Sequence, residues 1–252
     1  MQRIIAVINQ KGGVGKTTTA LNLGGYLAKS GKSVLVVDFD PQGNATSGLG
    51  QDKRELETTI YDALFDPKRT TDALRETAVA NLYLLPSNEN LAAAEIDLAD
   101  QPRREYHLAE ALKNLDHDYI LIDCPPALGL LTINALTAAG HVLIPVQSEY
   151  YALEGLSQLL ATIQRVRQGL NPQLELLGVV MTMFDNRTAL AGQVHAEIKK
   201  HFSEKVFRTV IPRNVRLAEA PSHGKTIVEH DKWSKGARAY KQLTKEVISR
   251  VS

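Results

Sequence analysis

Apolar positions along this chain come in two alternating textures. Short runs rich in β-branched residues recur at residues 4–8, 34–37, 82–85, 119–122, 142–146, 177–181 and 206–211. Because such runs are apolar on both alternating faces, they predict strands covered on both sides, the environment of a parallel sheet. Between them lie longer stretches with helical spacing. Leu21, Leu23, Leu27 and Ala28 ride one helix that Gly31 can end, and Leu153, Leu156, Leu160, Ile163 and Val166 mark another. Strands alternating with amphipathic helices predict an α/β fold, a mostly parallel twisted sheet of about seven to eight strands with helices on both faces. No repeat, low-complexity tract or Pro/Ser-rich linker divides the 252 residues, so one domain over 1–252 is expected.

The junction after the first run carries the clearest chemistry. Lys11-Gly12-Gly13-Val14-Gly15-Lys16-Thr17-Thr18 stands between a strand and a helix that opens at once. Glycines allow positive φ and present several N–H groups in one concave nest, to which a helix N-terminus adds its positive dipole end. That is a phosphate cradle, or P-loop, in which Lys16 reaches the β- and γ-phosphates and the Thr17 hydroxyl ligates Mg²⁺. The ordinary spacing wants glycine at position 10, where this chain has Gln10 followed by a second lysine, Lys11. The loop is a variant.

In such sheets ligands bind at the carboxyl ends of the strands, which gives weight to acidic residues found there. The run at 34–37 leads into Asp38-Phe39-Asp40-Pro41-Gln42-Gly43, and the run at 119–122 into Asp123-Cys124-Pro125-Pro126. Strand alternation lets Asp38 and Asp40 point the same way. Asp123 suits an outer-shell anchor for waters around Mg²⁺, and Asp40 a residue that orients or deprotonates a water attacking the γ-phosphate. Residues 51–75, the most polar segment, predict an irregular excursion over this face.

Composition narrows the class. Hydrophobic residues are 44% and charged residues 23%, ordinary for a globular chain with a sizeable core. A single cysteine, Cys124, leaves no disulfide framework and no cysteine cluster for zinc or iron–sulfur, and fits a reducing cytosol. No apolar run approaches the roughly 20 residues that span a bilayer, and no signal segment is expected, so a cytoplasmic location follows. The seven histidines show no helical metal spacing such as His-Glu-x-x-His. Net charge is only +1, but residues 1–186 hold 15 Lys+Arg against 22 Asp+Glu, net −7, whereas residues 187–252 hold 14 against 6, net +8. A basic end points to a polyanionic partner, nucleic acid or an anionic membrane.

Taken in order, the variant P-loop, Asp38-Phe39-Asp40-Pro41-Gln42-Gly43-Asn44, Asp123-Cys124-Pro125-Pro126 and Pro212-Arg213-Asn214-Val215-Arg216 resemble the deviant Walker ATPases, specifically the ParA/Soj partition proteins, over essentially the whole chain. The resemblance implies an ATP-dependent sandwich homodimer in which Lys11 reaches the partner's nucleotide, with ATP and Mg²⁺ as cofactors. It implies Asp40 as the hydrolytic aspartate, Asp123 as the Walker B residue, and Pro212 and Asn214 near adenine. A carboxamide can pair with the adenine edge, but Asn214 fits equally as a helix N-cap. The resemblance further implies non-specific binding of double-stranded DNA on the nucleoid. A ParB/Spo0J-type partner is implied to stimulate hydrolysis and so release it. The chain leaves no room for the N-terminal helix-turn-helix domain of plasmid relatives, so operator-specific binding is not expected.

For the basic end, Lys235, Arg238, Lys241 and Lys245 form a stripe on a C-terminal helix opposite Ala237, Tyr240, Leu243, Val247 and Val251. A solvated face explains such a stripe by default. The local charge and the further Arg187, Arg213 and Arg216 favour DNA, and the resemblance implies a DNA role for an arginine at the place of Arg187. Phosphate contacts of this kind are independent of sequence and weaken steeply with salt. The alternatives are a MinD-type membrane ATPase and a biosynthetic P-loop ligase. A membrane helix needs a bulky apolar face free for lipid, and the tail Ile248-Ser249-Arg250-Val251-Ser252 has no Phe, Trp or Leu cluster. The nitrogenase iron-protein branch needs paired cysteines, which Cys124 alone does not supply.

Overall fold

The computed structural model describes residues 2–149 and 152–251, without the side chains of 152–154, so the expected contribution of Leu153 lies outside the described residues. Seven strands form one sheet: β1 (Arg3–Val7), β2 (Val34–Asp38), β3 (Arg75–Glu76), β4 (Leu82–Leu85), β5 (Tyr119–Asp123), β6 (His141–Gln147) and β7 (Glu175–Thr182). Their order is β3-β4-β2-β5-β1-β6-β7, and every pairing is parallel except β3 with β4.

Alternation along the central strands feeds two cores. Val34 and Val36 of β2 join Ile5 and Val7 of β1 on one face, while Leu35 and Val37 join Ala6 on the other. The first face is covered by the helices Lys16–Lys29 and Lys235–Arg250, through Leu23, Leu27, Tyr240, Leu243 and Val247. Leu131, Ala135 and Leu136 of the helix Leu130–Ala138, with Leu156, Leu159 and Ile163 of Ala152–Gly169, cover the second. Burial on both faces of the sheet is the physical content of the continuous apolar runs.

The C-terminal helix is fastened at both ends. Ser234 accepts from the Ala237 N–H at 3.1 Å as its N-cap. At the other end the Arg250 guanidinium lies 3.9 Å from the Phe207 ring centroid and donates to the carbonyls of Leu177, Glu204, Lys205 and Val206 at 2.9–3.0 Å. The apolar side of this helix is thus spent on the core, with Tyr240 and Val247 almost fully buried.

The structure adds to or departs from the sequence pattern at three places. Residues 206–211 are not a regular strand: Phe207 N and Ile211 N donate to Val179 O and Met181 O of β7, but the intervening N–H groups of Arg208 and Thr209 donate to the Glu246 carboxylate, each at 2.9 Å. The side chain takes donors that a ladder needs. Second, β3 is an antiparallel edge strand of two charged residues, too short to show alternation. Third, the polar segment 51–75 is not wholly irregular. Thr59 and Asp62 form a capping box that starts the helix Ile60–Phe65, ahead of a further short helix at Thr70–Ala73.

Candidate nucleotide site

Parallel register brings the chemistry together. Asp123 ends β5 opposite both Val7 of β1 and Asp38 of β2, so the phosphate loop and two carboxylates leave adjacent strands at one level. The loop turns with φ 73° at Gly13 and 87° at Gly15, values open to glycine and strained for other residues. Gly15 is the N-cap of the helix Lys16–Lys29, whose first backbone donors therefore face the loop.

The loop is held from three sides by its own protein. Asn9 accepts from the Lys11 N–H at 3.0 Å and donates to Pro145 O at 2.8 Å. Thr182, the last residue of β7, donates its hydroxyl to Val14 O at 2.7 Å. Lys16 folds inward, largely buried, with Nζ 3.1 Å from Lys11 O. Burial draws the Lys16 amine below its usual pKa, against the attraction of Asp123, Cys124 and Asp40. Lys11 points outward instead, half-exposed and ion-paired with Glu149.

The three aspartates divide by environment. Asp38 is fully buried and accepts from the Thr46 N–H and hydroxyl at 2.6 and 2.7 Å. Burial pushes its pKa up to about 6, outweighing those bonds. Asp123 is also fully buried, and neither of its oxygens has a hydrogen-bond partner of normal geometry, although the Thr17 hydroxyl is close enough to draw its pKa down. Desolvation first, then Asp38, holds the Asp123 carboxyl well above its usual range. Two orphaned oxygens at the mouth of a phosphate loop suit a hard cation. The described residues contain no group of three or more His, Cys, Asp or Glu that could cage a metal, and magnesium, which retains waters and takes ligands from phosphate, needs none. Thr17, with Asp123 and Asp38 acting through water, fits that ion.

Asp40 lies just beyond β2, 8% exposed. Its Oδ1 accepts from Gln42 N at 2.9 Å and its carbonyl accepts from the Ser87 hydroxyl and Gly43 N, both at 2.9 Å. Oδ2 has no hydrogen bond among the described residues, so a rigid loop presents one free carboxylate oxygen. A cavity of about 570 Å³ opens beside the loop, over Asn9, Gln10, Lys11, Val14 and Gln147.

Asn214 is the N-cap residue of Val215–Glu219, yet its side chain caps nothing, and Oδ1 is buried without a partner. Of the two roles open to it from sequence, the helix cap is absent. Pro212 bridges to Phe184 beyond β7. Sequence reasoning did not single out Asn9, Thr46, Glu149 or Thr182. Asn9 and Thr46 were visible as polar residues flanking motifs, whereas Thr182 meets Val14 across 168 positions.

The expected DNA contacts split into two kinds. Arg187 is paired with Asp185 at 2.7 Å, and Arg216 with Glu219 at 2.8 Å. Arg213, Lys235, Arg238 and Lys241 are exposed and have no ion pair within the described residues.

Comparison with known proteins identifies the family. A family model described as an AAA domain matches residues 2–176. The sporulation initiation inhibitor protein Soj of Bacillus subtilis is 57% identical over 251 residues, covering 99% of each chain. The chromosome-partitioning ATPase Soj of Thermus thermophilus is 55% identical, covering 99% of this chain and 96% of its own. Among solved structures, cobyrinic acid a,c-diamide synthase from Mycobacterium smegmatis with bound ADP and magnesium superposes with a TM-score of 0.88 at 39% identity, over 100% of this chain and 96% of that one. Identity at this level along the whole chain, on a fold built to hold a nucleotide, means that the chain belongs to the ParA/Soj family of chromosome-partitioning ATPases, with ATP and Mg²⁺ as its cofactors.

Proposed function

We propose that ATP closes two copies of this chain into a sandwich dimer that holds double-stranded DNA without regard to sequence, and that hydrolysis stimulated by a ParB/Spo0J-type partner releases it. One observation carries the DNA reading. Exposed cations with no ion pair among the described residues, Arg213, Lys235, Arg238, Lys241 and Lys245, are concentrated in the basic end of the chain, where their contacts would go to phosphates. Location in the cytoplasm on the nucleoid follows from that role.

Within the site, the N–H nest at Lys11 to Thr18 receives the phosphates and Lys16, oriented by Lys11 O, turns its remaining N–H donors to a phosphate oxygen. Bound Mg²⁺ supplies neutralisation of phosphate charge. Thr17 and the waters held by Asp38 and Asp123 are its seats. Asp40, fixed by Gln42, Gly43 and Ser87, aims Oδ2 at the attacking water. Lys11, one ion pair away from being free, crosses to the partner's nucleotide. Asn214, with an unpartnered Oδ1, and Pro212 meet the adenine.

The membrane alternative is disfavoured because the apolar side of the C-terminal helix is already in the core. The ligase alternative has a solved neighbour at 39% identity, against 55% to a chromosome-partitioning ATPase. The decisive experiment measures DNA retention with ATP against ADP across a salt series, with anionic liposomes alongside. Retention only with ATP and lost at high salt supports the proposal; liposome binding without DNA binding replaces it.

A further inference from the structure

A groove of about 440 Å³ lies outside the nucleotide site, between the C-terminal end of the helix Lys16–Lys29, the helix Lys235–Arg250 and the turn that carries Trp233, and it shares only Lys241 and Lys245 with the cations proposed above for DNA. Its rim holds four lysines, Lys29, Lys232, Lys241 and Lys245, and its lining contains no carboxylate. None of the four is ion-paired among the described residues. Its floor is different in kind. Tyr26 and Val228 give it an apolar base, and Trp233, the only tryptophan of the sequence, stands 77% exposed with Lys232 Nζ 5.3 Å from its ring centroid.

A solvated lysine face needs no cleft, and a phosphate backbone needs no apolar floor. An exposed indole at the edge of a cleft is the kind of anchor on which protein partners spend most of their binding energy. The uncompensated positive rim selects a negative ligand and speeds its approach. We infer that this groove docks an acidic amphipathic helix of a partner protein, with its apolar face against Trp233 and Tyr26 and its carboxylates on the lysine rim. The Lys16–Lys29 helix separates the groove from the phosphate loop by roughly 20 Å at 1.5 Å per residue, so the occupant does not enter the nucleotide site.

The lone tryptophan makes the test direct. Two fluorescein-labelled Leu/Ala/Glu peptides of about 15 residues and identical composition are titrated into the full chain, one with Leu at helical i, i+3, i+4, i+7 spacing and one scrambled. The patterned peptide is expected to bind saturably and shift Trp233 emission to the blue. Its affinity should fall at least about tenfold in Trp233→Ala and in the Lys29→Glu/Lys232→Glu double variant, whose unchanged ATP hydrolysis reports an intact fold. Equal binding of the scrambled peptide would reduce the groove to a charge patch and overturn the inference. So would the absence of any Trp233 response. A short DNA duplex giving the same shift, with the same loss in the double variant, would assign the groove to nucleic acid instead.

Discussion

At the residue scale, what the site does depends on a few side chains whose environments differ sharply over one sheet edge. Lys16→Ala removes the only loop cation that points inward, and ATP affinity is expected to fall by at least about 100-fold in a nucleotide titration. Asp40→Ala should leave ATP-dependent dimers visible by size-exclusion chromatography while hydrolysis drops by about 100-fold or more. Turnover at the normal rate would take Asp40 out of its role. Two histidines away from the site set a pH dependence. Burial lowers the pKa of both His117 and His141, so the unfolded chain binds protons that the folded chain refuses. Stability from this source is present above the ordinary histidine pKa of about 6.5 and is lost as pH falls through it. Replacing both with asparagine should flatten the melting-temperature slope between about pH 7 and 5. The loop, Asp38, Asp40 and Asp123 were legible in sequence because their chemistry is tied to local spacing. The supports at Thr46 and Thr182 were not, because a hydroxyl has no signature until the fold brings it to its acceptor.

At the scale of elements, the continuous apolar runs specified the parallel sheet well, since burial on both faces leaves alternation no role. They failed where a side chain intervened. Residues 206–211 have the composition of a strand, but Glu246 on the C-terminal helix captures the N–H groups of Arg208 and Thr209. Nothing in the local pattern announces a competitor 37 and 38 positions away. The same helix shows how a basic residue near a chain end can be structural. Arg250 would pass for another member of the positive stripe, yet it satisfies four carbonyls and stacks on Phe207. Arg250→Ala should cost about 2–3 kcal/mol of stability in denaturant unfolding and leave DNA affinity unchanged once folded. Loss of DNA binding without loss of stability would reverse that assignment.

For the whole molecule, a net charge of +1 conceals an acidic body and a basic end, and the division was readable by counting. Which cations are available was not readable, because pairing with Asp185 or Glu219 depends on side-chain geometry. Arg213→Ala and Arg238→Ala should each weaken DNA binding and lower the slope of log affinity against log salt by about one, with dimerisation unchanged. One contact inside the loop bears on how the molecule responds as a unit. Since Lys16 donates to the carbonyl of Lys11, its ammonium is held over the loop with two further N–H donors left for phosphate. Lys16 is therefore set in place before nucleotide arrives, and less of the rotamer freedom of a long side chain is left to lose on binding. The two lysines are then coupled: a shift of the backbone at Lys11 moves the acceptor that orients Lys16, and apparent affinity for ATP becomes a property of where Lys11 is held.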